Sequence, residues 1–273
     1  MVQKVLKDRV KFYPAYWVGL IAFVSAGLLF LFDIRLAAVP LALFLALCII
    51  SPFFPGFGFF LPIVSHGRTD KMAVAVTFDD GPYALTTPEL LSLLSKHNIK
   101  ATFFVVGKKA AQRPELIKQI IAEGHCIGNH SFSHDNFVML KSSKTLFREV
   151  SSTQDTLKGL GILPLAFRPP VGITNPRLKK VLIKLDMYNV NFSCRAMDCG
   201  NRRITGLSSR ILKRVRPGDI IVLHDKPPKK EGLTFWLNEI ETIFSGLKTK
   251  GYTVLPLPEL IGKPVMIKTE GSR

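Results

Sequence analysis

A chain of 273 residues with 47% hydrophobic side chains, a mean hydropathy of +0.24 and a formal charge of +17 has room for an apolar anchor and one soluble domain of about 200 residues. Its four cysteines, Cys48, Cys126, Cys194 and Cys199, form no C-x-x-C pair and are too sparse for a disulfide framework. The first 64 residues carry five basic and two acidic side chains, which leaves +14 to the rest, yet no nucleic-acid-binding motif accompanies that charge. No nucleic acid is therefore expected as partner, and an anionic lipid surface or a phosphate-bearing substrate suits the charge instead.

The chain opens with Lys4, Lys7, Arg9 and Lys11, followed by uncharged apolar runs at 16–32 and 36–50 that only Asp33 and Arg35 separate. At 1.5 Å per residue each run approaches the thickness of a bilayer core. A cleaved signal peptide competes for the first run, but no small-residue cleavage site stands out and a second apolar run follows at once. The expectation is an integral anchor in the plasma (inner) membrane over residues 1–64, with a soluble domain over 65–273. The basic leader favours a cytoplasmic N-terminus. Two full crossings would return the domain to that face, whereas a re-entrant 36–64 would leave it outside. The Phe-, Pro- and Gly-rich stretch 52–64 is too short to span and is expected at the interface or as a dock for the domain.

From residue 72 short β-branched or aromatic runs (72–78, 101–106, 187–192, 219–223, 252–255) alternate with helical periodicity (87–97, 114–123, 144–160, 176–185, 235–248). Strand, helix, strand repeated predicts a parallel sheet, whose functional groups gather where strands end. Ionisable groups do stand after five apolar strand-like ends: Asp79 and Asp80 after 72–78, His130 and His134 after Cys126-Ile127, Arg168 after Ala166-Phe167, Asp198 after 189–192, and His224 with Asp225 after 220–223.

Taken singly these are ordinary features. Asp79-Asp80-Gly81-Pro82 has the composition of a plain turn. His130 and His134, four apart, would share one face of a helical turn, and with a carboxylate such as Asp80 they make a two-histidine, one-carboxylate metal site. The residues between them lack the Glu of H-E-x-x-H, so a zincin protease is not indicated. His224 could equally cap a strand, and Arg168-Pro169-Pro170-Val171-Gly172 could be only a rigid loop.

In this order T-F-D-D-G-P (77–82), H-S-F-S-H (130–134), R-P-P-V-G (168–172) and L-H-D (223–225) resemble the polysaccharide deacetylase family, carbohydrate esterase family four, or NodB homology domain, over about residues 72–260. The resemblance implies an α/β fold, a distorted (β/α)7-type barrel, here preceded by the N-terminal helical membrane anchor. It implies a divalent metal, zinc or similar, held by Asp80, His130 and His134, with Asp79 as general base oriented by Arg168. His224 matches the general acid, Asp198 the carboxylate that tunes it, Leu223 the apolar wall of the acyl pocket, and the backbone N–H of Val171 the oxyanion donor. Val171 replaces a more usual aromatic, and Asp198-Cys199 an Asp-Trp pair, with Phe192 and Arg195 standing for the common Trp and Asp. The expected activity is metal-dependent hydrolysis of an N-acyl group, acetyl or formyl, from an amino sugar in a glycan or a lipid-linked sugar phosphate. Arg195, Arg202 and Arg203 favour the phosphate-bearing form. The alternative is a catalytically silent, membrane-anchored glycan- or lipid-binding module on the same fold, against which the presence of both a base and an acid speaks.

Overall fold

The structure is a computed structural model that describes residues 13–269, so Lys4, Lys7, Arg9 and Lys11 lie outside the described residues. Two apolar helices, α1 (Pro14–Phe30) and α2 (Ile34–Ile50), form a hairpin whose turn is closed by Asp33 accepting from Arg35 N–H at 2.7 Å. They meet through small residues, Gly19, Ala22, Ala26 and Ala37, and through the edge-to-face pair Phe23–Phe44, while Leu20, Ile21, Leu43 and Ile49 stay exposed. Among the described residues one stretch, Ile34–Phe53, is long and apolar enough to cross a membrane, with 20 residues and a mean hydropathy of 2.4. The first helix is apolar but has 17 residues.

The stretch after α2 turns back onto the domain. Phe59 and Leu61 are buried, whereas Phe53, Phe54 and Phe57 remain exposed. Its last two residues are an edge strand, β1 (Ile63–Val64), so the sheet begins inside the segment expected to belong to the anchor.

The remaining strands are β2 (Ala73–Asp79), β3 (Thr102–Val105), β4 (Cys126–Asn129), β5 (Ile162–Pro164), β6 (Ala166–Phe167), β7 (Tyr188–Val190), β8 (Cys194–Arg195), β9 (Ile220–His224), β10 (Thr253–Val254) and β11 (Met266–Lys268). The main sheet runs β1-β7-β6-β4-β3-β2-β9-β8, all parallel, with β10 added to the start of β2. β5 and β11 make a separate antiparallel pair. Helices return the chain between the strands at Thr87–Lys96, Pro114–Ala122, Ser143–Lys158, Pro176–Lys184 and Leu233–Thr249, several opened by Pro in the first turn or by a side-chain cap from Ser142 or Asn175. This is the α/β architecture expected, the distorted barrel taking the form of a curled half-barrel left open between β1 and β8.

Strand alternation separates two apolar layers. Val74, Val76 and Phe78 of β2, with Ile221 and Leu223 of β9, join Leu90, Leu94, Trp236 and Ile240 of the outer helices. Ala73 and Ala75, with Phe104, Val190, Phe192, Ile220 and Val222, fill the opposite, concave face. Small residues at the base of β2 keep that face narrow. Its period of two carries Thr77 and then Asp79 onto the same face at the strand's C-terminal end.

Candidate active site

Arg168, just beyond β6, is the centre of the polar cluster in the concave face. Its guanidinium is fully buried and donates from Nη1 to Thr77 Oγ1 at 2.8 Å and Asp79 Oδ1 at 2.7 Å, from Nε to Val190 O at 3.2 Å and from Nη2 to Asn191 O at 3.0 Å. The Phe104 ring lies 3.9 Å from its Cζ. Burial lowers the arginine pKa and the nearby Asp79 opposes it, and the four hydrogen bonds fix the guanidinium geometrically.

Asp80 leaves the strand at φ 75°, which turns its carboxylate away from Asp79 toward two imidazoles. His134 Nε2 is 2.8 Å and His130 Nε2 3.6 Å from Asp80 Oδ1. Burial works against ionisation of Asp80, but hydrogen bonds from His130 and His134 outweigh it and hold the carboxyl well below the usual range. The histidines converge differently from the helical turn expected. The segment after β4 is a loop, with Ser131 at φ 65° and His134 at φ 55°, and Asn129, Ser131 and Glu149 fix its backbone.

The donor atoms of Asp80, His130 and His134 all lie within 4.8 Å of one another, so these residues form a group that could hold a metal ion. Their chemistry fits one. His130 Nδ1 sits 2.7 Å from Arg168 O, and because a carbonyl only accepts, Nδ1 is the donor of that contact and Nε2, on the Asp80 side, is the nitrogen offered to an ion.

His224 ends β9 and its Nδ1 is 2.7 Å from Asp198 Oδ2. Burial pushes the imidazole down, but the hydrogen bond and charge of Asp198, helped by Asp80 and Asp79, raise it to about 9. Asp198 is itself lowered: burial opposes this, and the His224 contact dominates. Val171 lies in the 3-10 turn Pro170–Gly172 at φ 54°, a costly conformation for a β-branched residue, and its side chain is half-exposed.

Leu223 is a correction. It belongs to the layer under the outer helices, because alternation along β9 turns it away from the face that holds Val222 and the site. Val222 is the inward neighbour of His224.

Other groups have roles that the sequence does not assign. Thr77 shares the arginine. Asp225, buried and raised to about 6 by desolvation against hydrogen bonds from Thr86 and Thr87, clamps the turn after Asp80, and its N–H donates to Asp79 O at 2.8 Å. A Cβ on Gly81 would meet Asp225 Oδ2 at 2.2 Å, so that close approach requires glycine. Asn201 bonds to the His224 and Lys226 carbonyls at 2.9 and 2.6 Å. Asp225 was visible as the residue after His224 and Thr77 as the first residue of T-F-D-D-G-P, though neither with a role; Asn201 gave no local signal.

Comparison with known proteins bears on this arrangement directly. A polysaccharide deacetylase profile matches residues 66–190. The chain is 32% identical over 200 residues to the chitooligosaccharide deacetylase of Azorhizobium caulinodans, covering 69% of this chain and 94% of that one. The chain belongs to the polysaccharide deacetylase family. It is also 31% identical to the peptidoglycan-N-acetylglucosamine deacetylase PgdA of Listeria monocytogenes over 76% of its own length, but spans only 42% of that relative. The crystal structure of the Bc1960 peptidoglycan N-acetylglucosamine deacetylase superposes with a TM-score of 0.67 at 31% identity, over 74% of this chain and 94% of that one. The half-barrel is therefore the polysaccharide deacetylase fold, and the polar cluster occupies the C-terminal ends of its strands.

Proposed function

We propose that this chain is a membrane-anchored, metal-dependent N-deacylase that removes an acetyl or formyl group from an amino sugar in a surface glycan or a lipid-linked sugar phosphate. The observation that carries this reading is the grouping of an Arg168-held carboxylate, Asp79, and an Asp198-held imidazole, His224, around Asp80, His130 and His134. The similarity to peptidoglycan and chitooligosaccharide deacetylases supports it.

Asp80, His130 and His134 would hold a divalent cation, zinc by their nitrogen and oxygen donors. That ion would supply Lewis acidity to the amide carbonyl. Asp79, kept in place by the buried guanidinium, accepts a proton from the attacking water. His224, protonated at neutral pH, gives its proton to the departing nitrogen, so water and amide become carboxylate and amine. Each transfer is worth about 10²- to 10⁴-fold. The Val171 N–H donates to the developing oxyanion, and Val222 takes the place of Leu223 as the candidate apolar wall.

The residue 1–64 anchor, the 65–273 catalytic domain and an integral location in the plasma (inner) membrane complete the proposal. The exposed apolar flanks of α1 and α2 and the 20-residue stretch Ile34–Phe53 support it. The test is amine release from N-acetylated and N-formylated amino sugars by the detergent-solubilised full chain, with and without zinc. If the zinc-bound chain releases no amine from any of them, the binding-module alternative replaces this reading.

A further inference from the structure

Two basic loops meet on the His224 side of the site. In the first, the Arg202 and Arg203 N–H groups donate to Asp198 O at 2.9 and 3.0 Å, so both arginines sit one turn from the carboxylate that holds His224. The second follows β9 and carries Lys226, Lys229 and Lys230. Asn201, almost fully buried, fastens them together: its side chain donates to His224 O and Lys226 O, and its carbonyl accepts from Lys229 N–H at 3.4 Å. The first loop also lies over the metal-site carboxylate, because a Cβ on Gly200 would stand 3.7 Å from Asp80 Oδ2 and 3.9 Å from Lys226 Nζ.

Arg202, Arg203, Lys229 and Lys230 are exposed, and among the described residues none is ion-paired. The nearest acid in sequence, Glu231, turns its Oε1 to Thr205 Oγ1 at 3.0 Å instead. Four cations without an acidic partner thus border a site whose carboxylates Asp79, Asp80 and Asp198 are already engaged by Arg168, His134 and His224. Like charges held on fixed loops repel one another, and a doubly charged anion with several acceptor oxygens is the ligand that relieves this.

We propose that the 200–203 and 226–230 loops form a phosphate-binding subsite, and that the amino sugar is taken with a phosphate ester attached. This rests on the deacylase reading and names its substrate class. A phosphate of a lipid headgroup shares the chemistry, so the test separates the two sources.

The probe is glucose 1-phosphate, which has no N-acyl group to hydrolyse, titrated into the detergent-solubilised, zinc-loaded full chain by ligand-observed NMR, with methyl glucoside as the neutral control. The native chain binds the phosphate ester in preference to the glucoside, more weakly at high salt. Arg202→Gln with Arg203→Gln, and separately Lys229→Gln with Lys230→Gln, weaken it by about tenfold each, one charged hydrogen bond's worth. Arg202→Lys with Arg203→Lys retains part of the affinity, and melting temperatures confirm that these surface variants fold. Co-sedimentation with phosphatidylglycerol vesicles is the second arm, expected to be unaffected by the Gln variants. Unchanged glucose 1-phosphate binding in both Gln variants overturns the proposal, and so does loss of vesicle binding alone, which assigns the loops to a lipid surface. Because the titration reads binding, a chain that binds the ester but releases no amine would overturn the deacylase reading and leave this subsite standing.

Discussion

Asp79 and His224 stand in register at the ends of the neighbouring parallel strands β2 and β9, yet partners of opposite kind hold them: the Arg168 guanidinium at 2.7 Å from one and the Asp198 carboxylate at 2.7 Å from the other. The proposed proton acceptor and proton donor are thereby held on adjacent strands, each by a partner of its own.

Asp79→Asn should keep the metal and lose about 10²- to 10⁴-fold in turnover, because only proton acceptance is removed. His130→Ala should lose both metal and turnover. Metal content and amine release measured on the same purified variants decide it, and an empty site in Asp79→Asn with a full one in His130→Ala would reverse the assignment.

With His224 raised to about 9, the acid is protonated through neutral pH. Asp198→Asn removes the contact that raises it, so the alkaline limb of kcat/KM should move down by about one to two pH units. The same pairing stabilises the fold below the unfolded histidine value of 6.5, and that contribution is lost as pH rises through about 9. An unmoved limb removes Asp198 from the mechanism.

Arg168→Met should destabilise the domain by about 3–5 kcal/mol, since it strands the buried Asp79 carboxylate and leaves Thr77, Val190 and Asn191 short of a donor. Unfolding followed through the fully buried Trp236 reads this out. Arg168→Lys keeps the charge but cannot span four acceptors, so it should fall between the two.

If the substrate is lipid-linked, a polyprenyl-phosphate N-acyl sugar should be turned over faster than a soluble N-acetylglucosamine oligomer, with an advantage that shrinks as salt screens the attraction. Faster hydrolysis of the neutral oligomer, indifferent to salt, would leave the +17 charge without a part in catalysis.

Much of this was legible in the sequence because period-two patterning and strand-end polarity are local signals. β2 and β9 fell close to the expected 72–78 and 219–223, and the residues proposed to hold the metal do converge. The short strands β1, β6 and β8, two residues each, are below the length at which alternation shows. Spacing placed His130 and His134 on a helix, but positive φ at Ser131 and His134 brings them together in a loop. Leu223 was assigned by motif position, which carries no facing; alternation along β9 does, and it selects Val222.

The Arg168 network also bears on the order of events during folding. Its hydrogen bonds join residues 91 and 89 positions apart on β2 to a carbonyl on β7 and another just past it, and its own carbonyl orients His130. None of these pairings is local, so the loop-closure entropy of β2, β4, β6 and β7 must be met before His130 and Asp80 face each other. A nascent chain therefore offers an ion only scattered, weak donors until the sheet has formed. Capture should come late and report the native topology, which makes metal uptake during refolding a clock for assembly of the half-barrel rather than its nucleus.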